Sequence, residues 1–151
     1  MLFAKPLAID PLFWRIVGFS ENERLPLSFR ARGAWVLRSP FLEHSVSLEV
    51  TDPKQLAADI VAWSTLQLTD RANFSIDALL SKLEQLGARR DHFVALEICL
   101  HLLRHDYDRA LALCRDGSLI DSGGFRVGDS TFFDMARDWI AKARRSEVGP
   151  V

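Results

Sequence analysis

The sequence predicts a mainly α-helical domain: helical hairpins, about five helices in all, with a small β or extended element near the N-terminus that leaves an α+β arrangement open. Three observations carry this. Residues 91–116, DHFVALEICLHLLRHDYDRALALCRD, read as two helices joined by a tight turn. The first of them is apolar on most sides, through Phe93, Val94, Ala95, Leu96, Ile98, Cys99, Leu100, Leu102 and Leu103. Such a helix must be covered by others, so it is the expected hub. Residues 52–146 repeat helix signals without interruption. Residues 1–50 have a different texture, rich in aromatics and Arg, with weak helical periodicity. No Gly/Ser- or Pro-rich linker separates the two parts, so residues 1–151 read as one domain.

In chain order, Asp10-Pro11 suits the cap and first position of a short helix running to Phe19. The same run, LFWRIVGF, also suits a buried strand, because short apolar runs are not resolved by periodicity. Ser28 to Leu37 alternates in part and suits an extended piece. His44 to Val50 alternates more cleanly, with Val46, Leu48 and Val50 on one face, which predicts a small sheet or hairpin. Asp52-Pro53-Lys54-Gln55 supplies an N-cap, a proline at the first helical position and a capping-box Gln. Leu56, Ile60 and Trp63 then share a face. Ser75 caps the next helix, whose stripe is Ile76, Leu79, Leu80, Leu83 and Leu86, with Gly87 as its stop. The hub helix is expected from about Asp91 to Arg104. Asp106 can cap a helix carrying Ala110, Leu111, Leu113 and Cys114 that ends at Gly117. Thr131 and Asp134 form a capping box with Asp in place of Glu, opening a last helix that buries Phe132, Phe133, Met135, Ala136, Trp139, Ile140 and Ala143.

Composition narrows the function classes. The chain has 151 residues, 48% hydrophobic and 26% charged, with a net charge of −1. That is enough for one good core and ordinary for a folded soluble protein. No Lys/Arg cluster reaches the density of a nucleic-acid patch, so no nucleic-acid partner is expected. No run of about 18 uncharged apolar residues is present, so no membrane span is expected. The opening MLFAKPLAIDPLFW carries Pro6 and Asp10 where a secretory signal needs an unbroken apolar region. Cys99 and Cys114 both lie in apolar helical patterns and read as buried free thiols in a reducing, cytoplasmic compartment.

Candidate chemistry centres on the hub helix. Glu97, His101 and His105 are four residues apart. That spacing lets two imidazoles meet one metal ion, with Asp106 or Asp108 adding a ligand, or pairs a carboxylate with an imidazole for acid–base work. The plainer alternative makes Glu97, His101, Arg104 and His105 the one solvated face of a buried helix. HExxH is absent, and no metal or other cofactor is expected. Ser118 has no base near it in sequence. Gly117 to Asp129, GSLIDSGGFRVGD, lacks the GK[ST] ending of a phosphate-binding loop and reads as a connector, with a turn at Asp121 to Gly124. Its length between two helices favours a functional role. Phe125 and Arg126, beside flexible glycines, suit a partner anchor, and Phe125 tucked beneath the last helix is the competing reading. Arg24, Arg30, Arg32 and Arg38 form a locally basic segment relieved by Glu21 and Glu23, followed by Glu43, Glu49, Asp52 and Asp59. Asymmetry of this kind steers an oppositely patterned partner. Trp63 and Trp139 fit core positions; Trp14 and Trp35 fit either core or interface.

The segment HDYDRALALC, with a helix before it, resembles the second helix of a tetratricopeptide-type hairpin. Tyr107 and Ala110 match that pattern in order, and Cys114 fills the third position with a smaller side chain than usual. Ile98 and His101 depart from the first-helix pattern, and no second copy appears at a period of about 34 residues. The resemblance implies a helical hairpin packed as in protein-binding scaffolds. The chain as a whole, with its many Arg and Asp residues and the segment GGFRVGDSTFFDMARDWI, also resembles bacterial immunity proteins, cytoplasmic antidotes that bind one cognate toxin. That resemblance transfers no residue roles.

The expected function is therefore non-catalytic protein binding, with Phe125, Arg126, Arg30 and Arg32 as partner-contact residues and a toxin as the partner. The alternatives are an adaptor or chaperone-like helical scaffold, and an enzyme or metal protein using Glu97 and His101. Oligomeric state is not legible in the sequence.

Overall fold

In the computed structural model, the described residues are 2–3, 8–24, 43–44, 52–69, 75–117 and 125–147. Among them lie six α-helices and two minimal antiparallel ladders. The helices are α1 (Ile9–Ile16), α2 (Pro53–Thr69), α3 (Ile76–Glu84), α4 (Val94–Leu103), α5 (Tyr107–Gly117) and α6 (Phe132–Glu147). The fold is mainly α, as the sequence predicts.

The extended element near the N-terminus is a two-residue ladder. Leu2–Phe3 (β1) pairs antiparallel with Glu43–His44 (β2). Ser28 to Leu37 and the alternating Val46, Leu48 and Val50 lie outside the described residues. The run LFWRIVGF resolves as helix, not strand, and its boundaries differ from expectation. Asp10 is not the cap. The helix begins at Ile9, after Ala8, which donates no side-chain cap. Pro11 therefore sits within the first turn, where its missing N–H would have had no intrahelical partner anyway. The helix ends at Ile16, short of Phe19.

Caps decide the other boundaries. The Lys54 N–H donates to Asp52 Oδ1 at 2.9 Å, so Asp52 caps α2. Gln55 does not close a box: its side chain donates forward to Asp59 Oδ1 at 2.8 Å, because a carboxylate one turn on is the better acceptor. Ser75 caps α3 by accepting from the Ala78 N–H at 3.1 Å. Gly87, at φ +56°, stops that turn with a left-handed residue, and a 3-10 segment then runs from Gly87 to Phe93. The hub is thus α-helical only from Val94, three residues later than expected at its start.

Every residue from Val94 to Leu100 is buried, and so is Leu102. The hub pairs with α5 through a three-residue turn. There the His105 N–H donates to the Leu102 carbonyl at 3.1 Å and the Asp106 N–H to the His101 carbonyl at 3.0 Å. This is the Schellman pattern. His105, at φ +59°, occupies the left-handed position usually given to glycine. Asp106 then caps α5 by accepting from the Arg109 N–H at 3.2 Å. Ala110, Leu113, Cys114 and Gly117 bury one stripe of α5. Gly117 lies inside the helix, not beyond it. A Cβ built there would lie 2.8 Å from the Phe133 ring and 3.0 Å from Val94 Cγ1, so its missing side chain is what lets α6 approach.

Before α6 the chain forms a tight hairpin, Arg126–Val127 (β3) against Ser130–Thr131 (β4). Its two-residue turn is Gly128-Asp129, with Gly128 at φ +59°. Glycine at the first central position is what such turns favour. The Thr131–Asp134 box closes in full: Thr131 N–H donates to Asp134 Oδ2 at 3.0 Å and Asp134 N–H to Thr131 Oγ1 at 3.2 Å. The backbone and hydroxyl bonds from Thr131 hold the Asp134 carboxyl below its usual range. An aromatic cluster ties α1 to α6. Phe13 stacks on Phe132 at 5.7 Å and meets Trp14 and Phe125 edge-on at 5.2 and 5.3 Å. At the other end of α6, Arg144 donates to Asp108 at 2.6 Å and lies 5.7 Å from the centre of the Tyr107 ring.

Candidate functional site

The hub's polar residues are where chemistry was expected, and the structure separates them. Glu97 is 1% exposed. Arg90, on the 3-10 segment, grips it with both prongs of the guanidinium. Its Nε donates to Oε2 at 2.7 Å and its Nη2 donates to Oε1. His101 lies between two carboxylates, with Nε2 3.7 Å from Glu97 Oε1 and Nδ1 3.2 Å from Asp106 Oδ2. His105 does not join them. It turns away in its left-handed conformation, and its Nδ1 lies 3.2 Å from the Tyr107 hydroxyl.

The plainer expectation of one solvated face made by Glu97, His101, Arg104 and His105 is therefore corrected. Only Arg104 and His105 are exposed. Periodicity missed this because Arg90 sits on a segment with a different pitch, and nothing local marks it as the residue that covers Glu97.

Electrostatics makes Glu97 a fixed counter-ion. Burial alone pushes its carboxyl up, but the hydrogen bonds from Arg90 and His101 and their charges outweigh that and bring it down to about 2. Both its oxygens accept from Arg90, so the geometry suits anchoring the 3-10 segment to the hub. Among the described residues no cluster of three or more His, Cys, Asp or Glu is placed to hold a metal ion. Cys99 and Cys114 are buried free thiols on α4 and α5. Burial pushes both up, Cys114 to about 12, and the neighbouring Cys114 adds to the rise at Cys99.

The proposed partner contacts divide. Phe125 is half-buried and packed on Phe13, and its carbonyl accepts from the Phe132 N–H at 3.0 Å. Arg126 is exposed on β3. Arg30, Arg32, Trp35, Ser118 and the Asp121–Gly124 turn lie outside the described residues. Of the other tryptophans, Trp14 is in the core, and Trp63 and Trp139 are half-buried.

Two surface features were not singled out from sequence. The first is the outward side of α2. Leu56, Ile60 and Trp63 are half-buried, as their shared face predicts. Yet Val61 is 63% exposed and Leu66 71%. Ala57, Ala58, Ala62 and Thr65 are exposed beside them, and no charged residue interrupts this surface from Ala57 to Leu66. The signal was present in sequence: LAADIVAWSTLQL is apolar on more sides than a surface helix requires. The second is a groove of about 230 Å³ between the end of α1 and α6. No helix among the described residues is long and apolar enough to cross a membrane. No protein-family model, curated protein or solved structure matches the chain.

Proposed function

We propose that this protein is a non-catalytic, cytoplasmic protein-binding module, most concretely a bacterial immunity protein that neutralises a cognate toxin by covering its active site. The observation that carries the binding reading is the outward face of α2. A helix apolar on both sides is normally buried on both sides. Here Val61 and Leu66 project from a surface without charges, and the Thr65 hydroxyl turns its hydrogen bond inward to the Val61 carbonyl at 2.8 Å. Apolar surface of this kind marks interaction sites. Capture of Glu97 by Arg90 supports the same reading, because the residue best placed for acid–base work has a structural task.

In this reading α2 supplies the apolar centre of the contact. Arg126, with Phe125 beside it, and the Arg30/Arg32 segment supply a polar rim. The toxin is the occupant suggested by the resemblance to immunity proteins. The test is co-expression with the product of the adjacent reading frame, followed by co-purification and a growth-protection assay. Wild type is expected to co-purify and to restore growth. Val61→Asp with Leu66→Asp is expected to keep the fold, since both positions are exposed, and to weaken capture on the order of 100-fold or more, as loss of a central apolar anchor does. Full protection by that variant overturns the assignment of α2. A neighbouring product that is harmless and unbound overturns the immunity reading.

A further inference from the structure

The groove between α1 and α6 has the build of an anchor pocket. Its floor is Ile16 and Val17 from α1 with Met135 and Trp139 from α6. Its rim is charged, with Arg15 on one side and Asp138 and Lys142 on the other. At about 230 Å³ it lies below the range of small-molecule sites, about 300–1,000 Å³, and matches one large side chain. Trp139 and Met135 are half-buried, with their inner sides packed on the core. A ring held that way loses little freedom when a second ring covers its other side. Tryptophan so placed is the commonest kind of interface anchor.

The rim selects among occupants. Lys142 is exposed and makes no ion pair among the described residues. Arg15 adds a second cation. Asp138 opposes them, and so does the C-terminal end of α1, worth about half a negative charge. The balance stays slightly positive, which favours a carboxylate beside the inserted side chain. We propose that the groove takes one aromatic side chain of a protein partner, flanked in sequence by acidic residues. The inference rests on the protein-binding reading and names the chemistry of what is bound. It uses none of the α2 residues.

The test needs no natural partner. Full-length protein labelled with 5-fluorotryptophan is titrated with the blocked tripeptides Glu-Phe-Glu, Lys-Phe-Lys and Glu-Ala-Glu, and the resonance of each tryptophan is followed. Glu-Phe-Glu is expected to shift Trp139 saturably, with a dissociation constant of roughly millimolar order, while buried Trp14 stays still. Lys-Phe-Lys is expected to bind about threefold more weakly or worse, as screened rim charges allow. Asp138→Asn should widen that preference and Lys142→Glu should invert it. Equal response to Glu-Phe-Glu and Lys-Phe-Lys, no saturable shift at Trp139, or Glu-Ala-Glu binding as well as Glu-Phe-Glu each overturns the proposal. If the peptides fail while the α2 variant still loses its partner, the groove is dismissed and the binding reading stands. If the peptides bind and the α2 variant protects fully, the reverse holds.

Discussion

Breaking the Arg90–Glu97 pair should be among the most damaging single changes to this fold, and the size of the effect follows from where the two groups sit. Glu97 is 1% exposed and Arg90 27%. Removing Arg90 leaves a carboxylate enclosed by the hub, with His101 3.7 Å away as its remaining cationic neighbour once protonated. Breaking a buried pair from one side costs about 3–5 kcal/mol. A second route gives a similar figure. The Glu97 carboxyl is lowered from 4.5 to about 2, and about 1.4 kcal/mol per pH unit converts that to on the order of 3 kcal/mol at neutral pH. The sign is fixed by linkage. Below its ordinary value the unfolded chain takes up the proton and the folded chain does not. The contribution is therefore complete above about pH 5.5 and is lost as pH falls from there towards 2. Urea melts of wild type, Arg90→Ala, Glu97→Gln and the double change to Met should show both single variants less stable by about 3 kcal/mol or more. The double apolar change should recover most of that loss, because no unpaired charge remains. Between pH 6 and 3, Glu97→Gln should lose stability less steeply than wild type. If both single variants melt within about 0.5 kcal/mol of wild type, the pair is surface decoration and the reasoning fails.

Other outcomes follow from particular contacts. Gly117→Ala should cost about 1–3 kcal/mol despite alanine's better helix propensity, because the new methyl meets the Phe133 ring at 2.8 Å; a melting temperature equal to or above wild type would show that α6 yields freely. Cys99 and Cys114 should resist a thiol reagent in the native state and react at the rate of opening, since both are buried with raised thiol pKa values; instant reaction of either would place it at the surface. Thr131→Val should cost about 1 kcal/mol by removing the cap of α6, with Thr131→Ser close to neutral.

How much was legible depended on how local the cause was. The hub, the Ser75 and Thr131 caps and the α5 stripe were readable because each follows from residues within one or two turns. The hub is nearly apolar all round, so its burial needed no knowledge of its neighbours. Glu97 is the counterexample. Its partner is seven residues upstream on a 3-10 segment, whose three-residue turn shifts the side-chain phase relative to the α-helix that follows. No count in steps of 3.6 could bring Arg90 onto the Glu97 face. Gly117 misled for a related reason. Glycine near a helix end usually marks a left-handed stop, but here it is selected by a ring fifteen or so positions downstream, a tertiary demand. The α1–α6 groove joins residues more than 100 positions apart, and no pattern along the chain announces it.

Phe125 and Arg126 carry the last prediction, because the structure splits a pair that the sequence treats as one. Phe125 meets Phe13 edge-on at 5.3 Å and belongs to the rim of the aromatic cluster. Its neighbour Phe132 is fully buried and stacked on the same Phe13 ring. Truncating Phe125 to Ala therefore opens space beside Phe13. For a half-buried ring the loss should be about 1–3 kcal/mol, below the cost of removing a fully buried phenylalanine. Arg126 is exposed on a two-residue strand, and its change to Ala should stay within about 0.5 kcal/mol. The double change therefore confuses a stability defect with a binding defect, and the two positions must be tested apart. Arg126→Glu reverses the charge and leaves the cluster intact, so weaker partner capture by that variant, at an unchanged melting temperature, assigns Arg126 to the contact. Phe125→Leu keeps most of the apolar volume and separates packing from recognition. If Phe125→Leu and Arg126→Glu both melt like wild type and both bind a partner undiminished, the hairpin is a structural latch for α6 and takes no part in recognition.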